Sequence, residues 1–449
     1  MQEKIKVVYS WIGPRGPLWN TELPSVLSFA SVAEGASTSS HMFWADDMWN
    51  RLFSKRKGTF EMYPAIAIEI DDNRPFMIPY TLSWRILFSN YFCGRTGILE
   101  FAHTPYHLWP LVRHNNGYIL IDHSVEAFMQ DDQLNSMHSY FGNIHSIPLN
   151  KIIYLTGCMN ATELYRIYCE KYNIPDDPLQ RLTIIAYPSS HQIFSSYIEQ
   201  GLIDEPEYDT ERVPDKLFLL WNRRFRKHRI ELALHLENND LVDRCHISFA
   251  WADPERPTTT LENAIDNTFI RDNIFNNMPP EHANIIINRF KNRLPLVLDG
   301  ETNINQMCED RDNLSRPYYQ SSLVSIVTET NFDIPELTLT EKSFKPIKEK
   351  HPFIIVGVPG ALAAMRDMGF KTFGEFWDES YDTTEFQKDR MTKISEVTRQ
   401  IGSWSNEQII DFRIKVKPIL EYNYNHLKVP SAGVVVQKIV KHIEENFKS

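Results

Sequence analysis

Cysteine, glycine, positive charge and long apolar runs are what this chain of 449 residues is short of. Its five cysteines, Cys93, Cys158, Cys169, Cys245 and Cys308, are odd in number, widely spaced and without a Cys-x-x-Cys pair. That excludes a zinc module or a disulfide framework and fits a reducing compartment. The 17 glycines form neither a Gly-x-Gly-x-x-Gly loop nor a Walker A pattern, which argues against a nicotinamide dehydrogenase or an NTPase. No run of about 18 apolar residues occurs, and the apolar stretch behind Lys4 and Lys6 is broken by Gly13, Pro14, Arg15 and Gly16 before it reaches signal-peptide length. The expectation is a protein without a membrane span, placed in the cytoplasm or in a host cytoplasm. Lys plus Arg number 47 against 58 Asp plus Glu, a net charge of -11, so the total charge gives no support to electrostatic capture of nucleic acid or of an anionic membrane.

What is present is a globular composition, 42% hydrophobic and 23% charged, with 12% aromatics, enough for a sizeable core and, at this length, for two large domains. Short apolar runs alternate with helical patterns. Tyr118 to Ile121 leads to a helix from about Val125, Lys151 to Leu155 to a helix at Ala161 to Tyr172, and Leu182 to Ala186 to a helix at His191 to Gln200. A second series follows: Leu217 to Trp221 and a helix at His228 to Asn238, Leu323 to Val327 and a helix near Glu341, then Phe353 to Val356 and a helix at Gly360 to Met368 closed by Gly369. This alternation predicts an α/β fold of two Rossmann-like domains facing a cleft. The acidic, proline-punctuated stretch Gly201 to Lys216 is read as the linker. The expected domains are 1–205 on the acceptor side, 206–404 for a nucleotide sugar, and helices over 405–449, with the option that these pack back on the N-terminal domain. Ser405 and Gln408 form a capping-box pattern at the start of a helix that Pro418 should kink. The Asn- and Asp-rich stretch Pro254 to Arg316 gives no clear period.

Ligands of such folds bind in loops that follow strands, and three loops stand out. Asn222-Arg223-Arg224-Phe225-Arg226-Lys227-His228-Arg229 places five basic side chains between an apolar strand and a helix. Cations at a helix N-terminus oppose its dipole unless an anion joins them; the competing reading is a solvated turn or an ion-pair partner of the acidic stretch. Next, an apolar strand delivers Glu329 to a loop, and Thr340 caps a helix opening with Glu341, Lys342 and, one turn on, Lys345. Lys342 again suggests an anion, against the alternative of an ordinary capped helix interrupted by Pro346. Finally, Phe353 to Gly360 is a strand ending in a glycine turn, suited either to a close ligand or to a plain strand-to-helix connection.

In this order the basic loop with its Arg-x-x-Leu helix, the Thr-Glu-Thr-Asn strand end, the Thr-Glu-Lys helix and the strand ending Gly-x-Pro resemble the donor-binding domain of GT-B-type glycosyltransferases. More narrowly, they are similar to the α1,3-fucosyltransferase and exostosin-like families and to related phage and large-virus enzymes, over roughly Leu217 to Asp382. The resemblance implies that Arg229 and Lys342 hold a nucleotide diphosphate and Glu341 the ribose. It implies a donor contact for Glu329 too, although Asn331 stands one place later than in the family. Asn222, Arg224 and Lys345 fall in the same implied donor site, and inversion at the anomeric carbon is implied as well.

An acceptor hydroxyl must lose its proton to a base, expected from the N-terminal domain. The loop after Tyr118 to Ile121 offers Asp122, Glu126 and His123, unless Asp122 or Ser124 merely caps a helix there. His191 and the Asp46-Asp47 pair between Trp44 and Trp49 are further candidates. The acidic pairs Asp46-Asp47, Asp71-Asp72 (with Glu69) and Asp131-Asp132 read as solvated turns, so no metal site and no cofactor beyond the nucleotide-sugar co-substrate are expected. The resulting reading is transfer of a hexosyl or fucosyl group from a nucleotide sugar to a glycan or protein acceptor. The alternatives are a non-catalytic glycan-binding or structural protein with a relict cleft, or sugar transfer to a hydroxylated base in viral DNA.

Overall fold

The computed structural model describes residues 4–9, 12–13, 16–17, 52, 58–64, 74–81, 108–114, 116–124, 129–222, 224–249, 252–253, 256–260, 263–264, 278–296, 298 and 315–447. They fall into two compact units, Met1–Gln192 with Ser431–Ser449, and Ile193–Pro430. Both are α/β units with a parallel sheet, as the alternation of apolar runs and helices predicts.

Unit 1 holds a six-stranded sheet. Its strands are β1 (Ile5–Tyr9), β2 (Phe60–Pro64), β3 (Phe76–Thr81), β4 (Gly117–His123), β5 (Ile152–Thr156) and β6 (Thr183–Ala186), in spatial order β2-β1-β3-β4-β5-β6 with every pair parallel. All residues of β4 and β5 are buried, because a parallel sheet is covered on both faces and strand side chains alternate between them. Ile119, Ile121, Ile152 and Tyr154 join one core with Leu108, Val112, Tyr165 and Tyr168. Tyr118, Leu120, Ile153 and Leu155 point the other way, into a second core closed by Val435, Val436, Ile439 and Ile443. Those four residues lie on the helix Ala432–Phe447, which therefore belongs to unit 1, whereas the helix Asn406–Leu427 belongs to unit 2. The latter opens with the Ser405–Gln408 capping box and runs on past Pro418.

Unit 2 contains β7 (Lys216–Trp221), β8 (Cys245–Ser248), β9 (Ser322–Thr328) and β10 (Phe353–Val356), in order β8-β7-β9-β10 and parallel throughout. The helices that bear on the site are α1 (Lys227–Asn238), α2 (Glu341–Lys348) and α3 (Ala361–Asp367). Each unit thus has its first strand in the interior with the second on one side and the third on the other, so the order reverses between the first and third strands. In open α/β sheets such a reversal opens a crevice at the carboxyl ends of the two strands; in unit 2 those ends are Trp221 and Thr328.

The acidic stretch 201–216 lies inside unit 2 and is held there. Glu205 pairs with Lys350 and Lys428 at 2.8 and 2.9 Å, Arg413 donates to the Asp209 carbonyl at 2.7 Å, and Arg316 donates to the Asp204 carbonyl at 2.7 Å. Within 254–316 the structure places a short strand at Arg256–Thr260 and a 14-residue helix at Pro280–Arg293. Gly369 has φ +94, the left-handed conformation expected for a residue that closes a helix. A Cβ there would lie 2.7 Å from Nε2 of His426. Gly369→Ala is expected to lose at least about 1–2 kcal/mol from backbone strain alone, before any cost of displacing His426. A urea titration would register this as a lower midpoint at unchanged slope.

Candidate functional site

The reversal point of unit 2 gathers the two polar loops singled out by the sequence. At the end of β7, Asn222 is fully buried and its Oδ1 accepts from the Thr328 hydroxyl at 2.5 Å. The chain then turns through Arg224 and Arg226 into α1. Arg226 occupies the N-cap position in an extended conformation, with no side-chain cap, so the first turn of α1 keeps its partial positive charge, although the Arg229 N–H already bonds the Arg226 carbonyl at 3.0 Å. Arg229, in that turn, is 3% exposed. Its Nη2 donates to the Thr328 carbonyl at 3.2 Å and its Nη1 to the Arg224 carbonyl at 3.4 Å, while Nε has no hydrogen-bond partner among the described residues. Nδ2 of Asn222 is likewise buried and unsatisfied.

Burial pushes the Arg229 guanidinium down to about 10 and Arg226 adds to this, while the carboxylates of Glu329 and Glu341 oppose it. The imidazole of His228 is driven well below its ordinary range by burial and by Arg229. It is therefore neutral, and since a carbonyl can only accept, Nε2 carries the proton it donates to the Glu329 carbonyl at 3.0 Å. Its ring stacks on Phe332 at 5.2 Å. On Phe332 lies the Arg390 guanidinium, 4.3 Å from the ring centroid.

Glu329 is 1% exposed, and both its oxygens are used by the protein. Oε1 accepts from the Thr340 N–H at 2.9 Å and the Ser343 hydroxyl at 2.6 Å; Oε2 accepts from the Thr340 hydroxyl at 2.7 Å and the Thr330 N–H at 3.1 Å. The carboxylate thus ties the end of β9 to the start of α2, a role that needs no ligand. Thr340 is the N-cap of α2, as its sequence position predicts, and its hydroxyl receives the Lys342 N–H at 3.4 Å. Lys342 Nζ reaches Glu341 at 2.7 Å, with both side chains half-buried. Burial disfavours the charge on Glu341, yet Lys342 and Lys345 overcome it and hold the carboxyl down at about 2. Glu341 acts on both sequence candidates: its charge opposes the lowering of Arg229, and its Oε1 receives Lys342.

The glycine turn after β10 has a different use. Gly360 is left-handed at φ +86, but the first N–H groups of α3 are occupied by Asp382, which accepts from Leu362 and Ala363 at 2.8 and 2.9 Å. This is the plain strand-to-helix connection. Sequence reasoning passed over Asp382, as well as His228, Phe332 and Arg390, because their roles depend on long-range closure that no local pattern announces.

In unit 1, Asp122 is buried and accepts the Ser124 N–H at 3.0 Å, which fixes the turn that ends β4. His123 is also buried, its Nδ1 2.7 Å from the Tyr154 hydroxyl, and burial lowers its pKa to about 4 against the opposing effect of Asp122. His191 is buried on the helix Ser189–Glu199. Glu126 lies outside the described residues, as do Asp46, Asp47, Glu69, Asp71 and Asp72. Asp131 instead pairs with Lys171 at the surface. Among the described residues no group of three or more His, Cys, Asp or Glu could hold a metal ion, and no helix is long and apolar enough to cross a membrane.

No protein-family model matches the chain, and no curated protein matches it. Solved structures do resemble it. One is a UDP-forming alpha,alpha-trehalose-phosphate synthase from Burkholderia vietnamiensis, with TM-score 0.40 and 13% identity over 83% of this chain and 72% of that one. Another is the corresponding protein from Burkholderia xenovorans, with TM-score 0.41 and 11% identity over 83% and 73%. The N-terminal domain of Candida albicans trehalose-6-phosphate phosphatase gives TM-score 0.37 and 9% identity over 98% and 97%. Superpositions of this quality assign no activity.

Two expectations follow. Glu329→Gln turns an acceptor toward Thr340 and Ser343 into a donor, so it should cost about 1.5–3 kcal/mol of stability, the value of a charge-assisted hydrogen bond, seen as a lower denaturation midpoint. Glu231, on α1 and 3% exposed, has its carboxyl pushed up to about 7 by burial, against Lys227 and Arg390. The folded state therefore binds more protons than the unfolded one between the ordinary carboxyl range and about pH 7, and this contribution to stability falls as pH rises through that window. Glu231→Gln should flatten the fall, by up to about 1.4 kcal/mol per pH unit, in denaturation midpoints measured from pH 4.5 to 8.

Proposed function

We propose that the protein is a GT-B-type glycosyltransferase that moves a sugar from a nucleotide-sugar donor to a glycan or protein acceptor, with inversion and without a metal ion. The observation that carries this is the buried, partly unsatisfied Arg229 at the uncapped N-terminus of α1. Two donors, Nε of Arg229 and Nδ2 of Asn222, are withdrawn from water and left without acceptors at the reversal point of a parallel sheet. A buried donor without an acceptor costs about 1–3 kcal/mol, and a diphosphate oxygen would remove that cost while neutralising the adjoining helix end. Lys342, paired with Glu341 here, adds a positive charge from the neighbouring helix; Arg224 and Lys345 extend the basic rim, and Glu341 is the candidate for a ribose hydroxyl. Glu329 shapes this site from beneath.

In the reaction the acceptor hydroxyl loses its proton to a base as its oxygen attacks the anomeric carbon. The bond from that carbon to the diphosphate oxygen breaks, and the electron pair leaves with the nucleoside diphosphate, whose growing charge the cations stabilise. Asp122 is the leading base, with Glu126 the alternative. His123, neutral and weakly basic in its buried position, ranks below both.

Calorimetric titration with UDP, GDP and the matching nucleosides tests the donor site. Arg229→Ala and Lys342→Ala should each weaken nucleoside diphosphate binding about tenfold to a hundredfold and leave nucleoside binding nearly unchanged. Equal losses for nucleoside and diphosphate would remove the diphosphate assignment. Turnover should survive EDTA and should collapse in Asp122→Ala; full activity of folded Asp122→Ala would return that residue to its turn-fixing role alone.

A further inference from the structure

A separate cavity of about 590 Å³ lies wholly within unit 1, on residues that the donor-site reading does not use. One wall is a seven-residue π-helical stretch, His138–Ile144, and the other is the end of the helix Ala161–Lys171 with the turn that follows it. Single π-turns are uncommon and concentrate at binding sites. Two of the few non-glycine residues with positive φ, Ser146 at 51° and Asn173 at 52°, line this one cavity. Each directly follows the last cap residue of a helix, and the N–H of the next residue bonds back to it, Ile147 to the Phe141 carbonyl and Ile174 to the Cys169 carbonyl, so these are left-handed helix stops that set the two walls.

The lining names the ligand. Tyr172 presents an exposed ring, and its orientation is fixed because its hydroxyl donates to Asp131 at 3.0 Å. Tyr168 lies beside it, with ring centroids 4.8 Å apart, and is anchored through its own hydroxyl to Asn135 at 2.8 Å. Asn143, Ser146 and Asn173 line the same cavity at exposed positions, and their side chains make no hydrogen bond to any described residue, so two amides and a hydroxyl remain available. No Asp, Glu, Lys or Arg lines it. The one titratable imidazole, His138, is held down at about 4 by burial and bonds the Tyr165 hydroxyl at 3.0 Å, so the cavity is uncharged at neutral pH. An aromatic platform beside unengaged amides, without charge, suits a pyranose ring: its C–H face packs on the tyrosine and its hydroxyls meet donors and acceptors together. The charges nearest the platform, the Lys171 ammonium 5.4 Å from the Tyr172 ring centroid and Asp131 at its hydroxyl, pair with each other. An anion therefore finds no unpaired counter-charge among the described lining, and a purely apolar ligand would leave the amides without partners.

We infer that this cavity is a carbohydrate-binding subsite of unit 1 that takes one neutral pyranose unit of a glycan, independently of the donor site. Saturation-transfer NMR on the full chain with glucose, galactose, mannose, fucose and N-acetylglucosamine as probes, and with sialic acid and phenol as contrasts, tests it. Transfer to at least one neutral sugar is expected. Binding should fall about tenfold or more in Tyr172→Ala and in Asn173→Gly, which removes the amide but keeps the left-handed backbone available, and should be unchanged in Arg229→Ala. Four results would each overturn the inference: no transfer to any neutral sugar; binding that survives both cavity variants; binding lost in Arg229→Ala, which would move the sugar to the donor site; or sialic acid or phenol binding as well as the best neutral sugar. Circular dichroism of the two cavity variants, both at exposed positions, separates lost binding from lost fold.

Discussion

Four hydrogen bonds to one buried carboxylate hold together the polar loops at the reversal point of unit 2. Glu329 receives Thr340 twice, Ser343 and Thr330, and so fixes the end of β9 against the first turn of α2. Its backbone carbonyl meanwhile orients His228 on α1. With α1 and α2 both registered to this residue, the two helix N-termini open at the same end of the sheet, and Arg229 and Lys342 come with them. A buried carboxylate is tolerated because every oxygen is satisfied, and its charge also offsets part of the cost of keeping Arg229 out of water.

The site is then an electrostatic imbalance held in place by geometry. Arg229, Arg226 and Arg224 surround a helix end that is itself positive, while Glu329 and Glu341 return only part of the opposite sign. On the donor-site reading proposed above, this cluster suits a ligand with two or more negative charges better than a neutral one. The cavity of unit 1 has the reverse character, with aromatic faces and amides and no net charge. If both proposals hold, one chain carries two recognition chemistries, a charged one and a neutral one, each within its own unit.

Much of this was legible in the sequence where the signal is local. The Thr340 cap, the Ser405–Gln408 box and the left-handed Gly369 follow from residues within a turn of one another. The alternating apolar runs likewise gave the parallel strands, because a strand buried on both faces reads as an uninterrupted apolar run. What depends on distant partners was not legible. Glu329 looks like a ligand contact until Thr340 and Ser343 fold over it. The acidic stretch 201–216 looks like a free linker until Lys350, Lys428 and Arg413 bind it. The glycine turn at Gly360 looks open until Asp382, 22 residues later, fills the helix end.

The helix Ala432–Phe447 bears on how the protein is made. Its Val435, Val436, Ile439 and Ile443 complete the second core of unit 1, yet the ribosome reaches them only after all of unit 2. Until then the face of the unit 1 sheet that carries Ile5, Val7, Tyr118 and Leu120 lacks this helix. Nascent chains are most exposed to misassembly while such surface is bare. Vectorial synthesis therefore leaves the first unit begun as the last one finished.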